Sequence, residues 1–192
     1  MKFIGTLTTE GAPVCIAPVA EAREWDGLDG DYWDMMEDEP NGLITTFVNR
    51  LGVRYAFFHT ESGHFALFAA PREVVLFELV REDGSVPGER DLEAADFDLA
   101  RMAIQPEVLT LGGLGGPIAL FDAVLSGTEL NLDEEGCARA NRFPEYRPDV
   151  PDTAIIDVEF GVWTVSYFAY EDDESQVRGA WFQNTSVTEQ PE

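Results

Sequence analysis

The chain has 192 residues, 45% apolar and 11% aromatic, and it carries 12 basic against 37 acidic side chains, for a net charge of −25. At this length a core burying roughly 70% of the unfolded surface is within reach, so one globular domain over 1–192 is expected, and 13 Phe, 5 Tyr and 4 Trp argue against an acidic disordered tail. The charge also argues against direct nucleic-acid binding, which draws on counterion release at basic patches, and against anionic membrane surfaces.

The chain opens with Phe3 to Val19, which reads as a hairpin: a short run, a turn at Thr9-Glu10-Gly11, and a second run Pro13-Val14-Cys15-Ile16-Ala17. No apolar signal segment follows Lys2, and no stretch is long enough to span a bilayer, so a cytoplasmic protein with Cys15 and Cys137 as free thiols is expected. Residues 20–40 hold nine acids against the single base Arg23. Within them Asp31 is expected to cap a short helix carrying Tyr32, Met35 and Met36, ended by Pro40. Four strand-like runs follow, Leu43 to Val48, Val53 to His59, Phe65 to Ala70 and Val74 to Val80, and turns this close predict an antiparallel meander.

Beyond a loop at Gly84 to Gly88, Leu92, Ala95, Leu99 and Met102 mark one face of a helix. A glycine-rich turn over Gly112 to Gly116 leads into a strand, Pro117 to Asp122, and residues 131–153 read as loop. The tail supplies three strands, Ile155 to Phe160, Val162 to Tyr170 and Val177 to Gln183; Trp163, Val165, Tyr167 and Ala169 alternate with Thr164, Ser166 and Phe168 as a pleat requires. The fold class expected is α+β, mainly antiparallel β-sheet built from meanders and hairpins, with one or two short helices. Gly11 to Ile16 and Gly115 to Leu120 share a small-small-Pro-apolar pattern, which raises two similar β-rich halves, about 1–85 and 105–185, as a variant of the single domain.

Catalytic signatures are sparse. His59 and His64 are the only histidines; their spacing fits no familiar metal motif, and histidines at a hairpin rim explain both. Ser62 lacks the leading Gly-x of a nucleophile elbow, and Cys15 sits inside a predicted strand, where a thiol is packing. Gly113-Leu114-Gly115 opens like a dinucleotide fingerprint, but Ile118 takes the third glycine position and Pro117 leads into a strand, so the helix N-terminus a phosphate needs is missing. Counted from Asp26, an EF-hand loop places Leu28 at its third position and Asp31 where glycine is required, so that pattern fails. No catalytic residue, cofactor or metal ligand is assigned.

What stands out is the mixture of charge with Trp25, Tyr32 and Trp33 in residues 21–39. Aromatics anchor interfaces and complementary charge steers encounter, so Trp25, Asp26, Asp29, Asp31, Tyr32, Trp33, Asp34, Glu37, Asp38 and Glu39 form the candidate partner-binding set. The bland alternative is a solvated acidic loop whose aromatics hold it to the core. Acid enrichment with 11 Arg to one Lys also fits adaptation to high salt.

Three islands carry a family resemblance: Thr9 to Pro18 with Glu24-Trp25-Asp26-Gly27 and Asp29 to Tyr32; Gly115 to Ala123 with Gly127; and Gly161 to Val165. Together they resemble the immunity protein 21 family of bacterial polymorphic-toxin systems. The resemblance implies a non-enzymatic antidote that neutralises a cognate toxin by stoichiometric binding, and the acidic surface fits a toxin domain with a basic surface. Two other classes stay open at this point: an acidic DNA-mimic inhibitor of a nucleic-acid enzyme, and a small enzyme or calcium- or metal-binding domain built around His59, His64 and neighbouring carboxylates.

Overall fold

A computed structural model describes residues 1–9, 11–37, 44–59, 64–81, 103–130, 132, 153–171 and 175–186. Nine strands run through them: β1 (Lys2–Thr8), β2 (Val14–Pro18), β3 (Ile44–Val48), β4 (Arg54–Phe58), β5 (His64–Ala70), β6 (Glu73–Arg81), β7 (Ala103–Asp122), β8 (Thr153–Glu171) and β9 (Ser175–Asn184). Two short helices, α1 (Val19–Ala22) and α2 (Asp31–Glu37), flank a 3-10 turn at Gly27–Asp29. The expected mainly antiparallel sheet with few helices is what forms: one nine-stranded sheet in the order β1-β5-β6-β9-β8-β7-β2-β4-β3, every pairing antiparallel. The loop at Gly84 to Gly88, the helix expected around Leu92 to Met102 and most of the 131–153 loop lie outside the described residues.

Strand pairing departs from the expectation in three places. The hairpin over Phe3 to Val19 does not form, because β1 pairs with β5 while β2 lies between β4 and β7. Val14, Cys15, Ile16 and Ala17 are all buried, and a strand apolar on both faces needs cover on both sides and a neighbour along each edge. The meander of four strands breaks after β4: β3–β4 and β5–β6 are hairpins, but β4 and β5 are six places apart in the sheet. The glycine-rich turn is no turn but part of a continuous β7. Likewise the two predicted strands on either side of Gly161 are one strand, β8.

Side chains sort cleanly by pleat. Val14 and Ile16 of β2, Ala56 and Phe58 of β4, Phe65 and Leu67 of β5, Val74 and Leu76 of β6, and Trp163 and Val165 of β8 share one inner cluster. Phe58 and Phe65 meet edge to face at 5.8 Å, which requires the sheet to fold over its own inner face. The fold-over falls on β7 and β8: residues 118–122 of β7 pair with β2, whereas β8 pairs with β9 only from Trp163 onward. Between those stretches the β7–β8 register shifts twice, so that Glu159 and Phe160 oppose the single residue Gly115. Bulges of this kind bend strands from one layer into another, and glycine supplies the backbone freedom, with Gly116 at φ +73°.

Asn184 fixes this corner by donating to the carbonyls of Glu159 and Phe160 at 3.0 and 3.2 Å. Its own Oδ1 accepts from the Ser186 amide at 3.0 Å. Gly161 leaves room for the Asn184 side chain where a Cβ would collide with it. Pro106, near the start of β7, lies where the register shifts between Gln105 and Leu109, a place that tolerates a residue with no N–H.

Candidate interaction surface

The outer pleat of β2, β4 and β7 is apolar too: Cys15, Ala17, Tyr55, Phe57, Ala119 and Phe121 are buried. Residues 19–37 cover it. Trp25, 1% exposed, packs edge to face on Tyr55 and tilted against Phe57 with ring centroids 4.9 and 5.4 Å away, and its indole N–H donates to the Ala123 carbonyl at 2.9 Å. The cover is drawn tight by two glycines from different islands of the sequence. Gly27 sits at φ +58° with its α-carbon against the backbone of Val124 to Ser126, and Gly127 donates its N–H to the Trp25 carbonyl at 2.7 Å.

A buried polar hub orients α2. Asp31, 5% exposed, accepts from the Asp26 amide and from Asn49 Nδ2, both at 3.2 Å. Asn49 in turn accepts through Oδ1 from the amides of Leu51 and Val53, each at 3.0 Å, and so builds the β3–β4 turn. Tyr55 donates its hydroxyl to the Glu21 carbonyl at 3.0 Å, and burial, with the charge of Asp31 among its neighbours, pushes the phenol well above its usual range. Burial, then Asp31, also raises the Cys15 thiol, which makes it an inert core group rather than a nucleophile.

With Asp31 and Met35 turned inward, α2 presents its other face to solvent. Trp33 is 58% exposed, and Met36, three residues on, is exposed as well. Tyr32 braces Trp33 edge to face at 5.2 Å. Asp34 pairs with Arg50 at 2.8 Å and thereby ties the β3–β4 turn to the helix, placing exposed Leu51 and Val48 beyond it. Asp26, Asp29 and Glu37 are exposed around these apolar groups.

The candidate partner-binding set therefore divides. Trp25 and Asp31 belong to the fold: one anchors the cover, the other holds the hub, and neither is presented to a partner. Asp26, Asp29, Tyr32, Trp33, Asp34 and Glu37 lie on or beside one surface, while Asp38 and Glu39 lie outside the described residues. Arg50, through its pair with Asp34, and the exposed Leu51, Val48 and Leu28 add to that surface and carry no signal of it in the sequence. Gly52 separates two apolar runs in the sequence and so points to a turn, but only the Arg50–Asp34 pair shows that this turn meets α2.

His59 is half-buried with Nε2 2.7 Å from the Thr45 hydroxyl, and burial lowers its proton affinity. His64 opens β5, and Ser62 and Cys137 lie outside the described residues. Among the described residues no three His, Cys, Asp or Glu side chains gather as a metal site would require, and no helix is long and apolar enough to cross a membrane. An open groove of about 580 Å³ lies beside the β8 corner. Its cation, Arg72, donates to the carbonyls of Asn184 and Ser186 and approaches Glu159 at 3.7 Å, so the groove's polar groups serve the corner itself. In comparisons with known proteins, no family model, curated protein or solved structure matches this chain.

Proposed function

We propose that this chain is a non-enzymatic immunity protein of the cytoplasm, which neutralises a cognate bacterial toxin by stoichiometric binding of a basic toxin surface to the face formed by α2 and the β3–β4 turn. The observation that carries the reading is Trp33: a tryptophan 58% exposed on a helix that turns Asp31 and Met35 into the core, with exposed Met36 beside it and exposed Asp26, Asp29 and Glu37 around it. Large aromatics surrounded by charge are the composition of interface hot spots, and a net charge of −25 draws in a cationic partner. The resemblance of three sequence islands to the immunity protein 21 family supports the toxin as that partner; the comparisons with known proteins add nothing to it.

The test is co-expression with the neighbouring gene product. That product alone should arrest growth, the pair should restore it, and the two proteins should co-purify at one to one. Trp33→Ala should weaken the purified complex about thirtyfold, the equivalent of about 2 kcal/mol, at an unchanged melting temperature. A harmless neighbouring product, or a complex indifferent to Trp33→Ala, refutes the reading. Inhibition of a host nuclease or polymerase without any toxic neighbour would point to the DNA-mimic class instead.

A further inference from the structure

The two edges of the sheet are built differently. β1 carries Lys2 and a register shift between Phe3 and Gly5, both devices that stop a foreign strand from pairing. β3 has neither: Ile44-Thr45-Thr46-Phe47-Val48 contains no charge, proline, glycine or bulge, in a chain with 26% charged residues. Its hydrogen-bonding parity follows from the turn. Asn49 N donates to Val53 O at 2.9 Å, and the register runs Val48↔Arg54, Phe47↔Tyr55, Thr46↔Ala56, Thr45↔Phe57. Bonded and non-bonded pairs alternate in an antiparallel ladder, so Phe47 and Thr45 bond to β4, while the N–H and C=O groups of Ile44, Thr46 and Val48 point away from it.

Three further facts mark this edge as a docking strip. Thr46 and Val48 are exposed, Val48 at 49%. The strip runs into the Arg50–Asp34 pair and so is continuous with the α2 surface. Finally, among the described residues β3 pairs with β4 alone. We propose that the partner adds an extended, cationic segment to this edge of β3 as a further strand, with its backbone bonding to Ile44, Thr46 and Val48 and its basic side chains reaching the exposed carboxylates of Asp26, Asp29 and Glu37 around Trp33. Strand addition takes affinity from main-chain hydrogen bonds and specificity from neighbouring side chains. Charge decides the occupant. A second copy would bring another −25 charge and a second acidic α2 face against the first, whereas a basic segment is drawn to them. This proposal rests on the reading that the chain binds a basic protein.

The test uses the full chain, the purified neighbouring gene product, and two substitutions at one position. Thr46→Pro removes an N–H that β4 does not use, and Thr46→Val changes the side chain but keeps that donor. Thr46→Pro should weaken the complex at least tenfold at an unchanged melting temperature, and Thr46→Val should bind within twofold of wild type. In the wild-type complex the amides of Ile44, Thr46 and Val48 should become protected from hydrogen exchange; should Thr46→Pro fail to fold, that protection decides the matter alone. Wild-type affinity in a folded Thr46→Pro, or unchanged exchange at these amides, overturns strand addition while a loss of binding in Trp33→Ala leaves the functional reading standing. No binding by the wild type overturns that reading and this proposal together. A wild-type dimer that Thr46→Pro converts to monomer makes a second copy the occupant and overturns the proposal as stated.

Discussion

Trp25 and Trp33, eight residues apart in one acidic segment, should respond to truncation in opposite ways. Burying an indole removes roughly 150–250 Å² from water, which at about 25 cal/mol per Å² comes to about 4–6 kcal/mol. Trp25→Ala also deprives the Ala123 carbonyl of its donor, a further cost of about 1–3 kcal/mol. Against a typical total stability of about 5–15 kcal/mol, Trp25→Ala should leave the protein marginal or unfolded at 37 °C. Trp25→Phe keeps most of the ring contact with Tyr55 and Phe57 but not the N–H, and should cost about 1–3 kcal/mol. Trp33→Ala removes a side chain that is already 58% exposed and should change stability by no more than about 0.5 kcal/mol. Urea unfolding followed by far-UV circular dichroism, with equal m-values required, measures all three. A Trp25→Ala within about 1 kcal/mol of wild type, or a Trp33→Ala costlier than Trp25→Phe, would refute the division of this segment into an anchor and a presented residue.

The two glycine turns give a second contrast: Gly27→Ala adds a Cβ 2.7 Å from backbone atoms of the Val124 to Ser126 turn at φ +58° and should cost about 2–5 kcal/mol. Gly52→Ala, at φ +81° but with open space around it, should cost only about 1–2 kcal/mol in the same urea assay. For His59, burial lowers the folded pKa, so below about pH 6.5 the unfolded chain binds the proton more readily; stability should fall as pH drops from 7.5 to 5, and His59→Gln should flatten that part of the profile of urea midpoints. For the complex, association should slow steeply between about 50 and 500 mM NaCl while dissociation changes little, and a salt-independent on-rate in stopped-flow would move recognition onto apolar contacts alone.

The strands were legible because their pleats were: Trp163, Val165 and Tyr167 alternate with partly exposed Thr164 and Ser166, and the β3–β4 and β5–β6 hairpins follow from Gly52 and Pro71 between apolar runs. Partner choice was not legible. β1 and β2 are neighbours in sequence yet separated by five strands in the sheet, and only burial on both pleats distinguishes β2 as central. Glycine punctuates turns and bends alike, so Gly112 to Gly116 becomes a bend only once Glu159 and Phe160 bulge opposite Gly115. At the site, the sequence located the acidic aromatic segment but could not divide it, because a seven-residue helix is too short for periodicity to separate Asp31 and Met35 from Trp33 and Met36. Arg50 and the β3 edge were invisible for a different reason: their place beside α2 is set by a long-range ion pair and by Asn49.

That placement bears on affinity. A flexible acidic loop would attract a cation but lose ordering entropy on binding, about 0.5–1.5 kcal/mol for each side chain immobilised. Here the loss is largely met during folding. Asp31 and Asn49 fix the start of α2 to the β3–β4 turn, Asp34 and Arg50 fix its middle, and Tyr32 limits the motion of Trp33. The same Asn49 that donates to Asp31 also sets the hydrogen-bonding parity of β3 through the turn it builds, so one buried side chain determines both how the aromatic face is presented and which amides face outward. Asn49→Ala should therefore weaken binding by more than Trp33→Ala and Thr46→Pro would lead one to expect from either alone, and should lower stability by about 2–4 kcal/mol as Asp31 and two turn amides lose their partners. Measured by urea unfolding and by titration of the neighbouring gene product at a temperature where the variant stays folded, a large stability loss with wild-type affinity would show that the hub supports the core and leaves the surface unaffected.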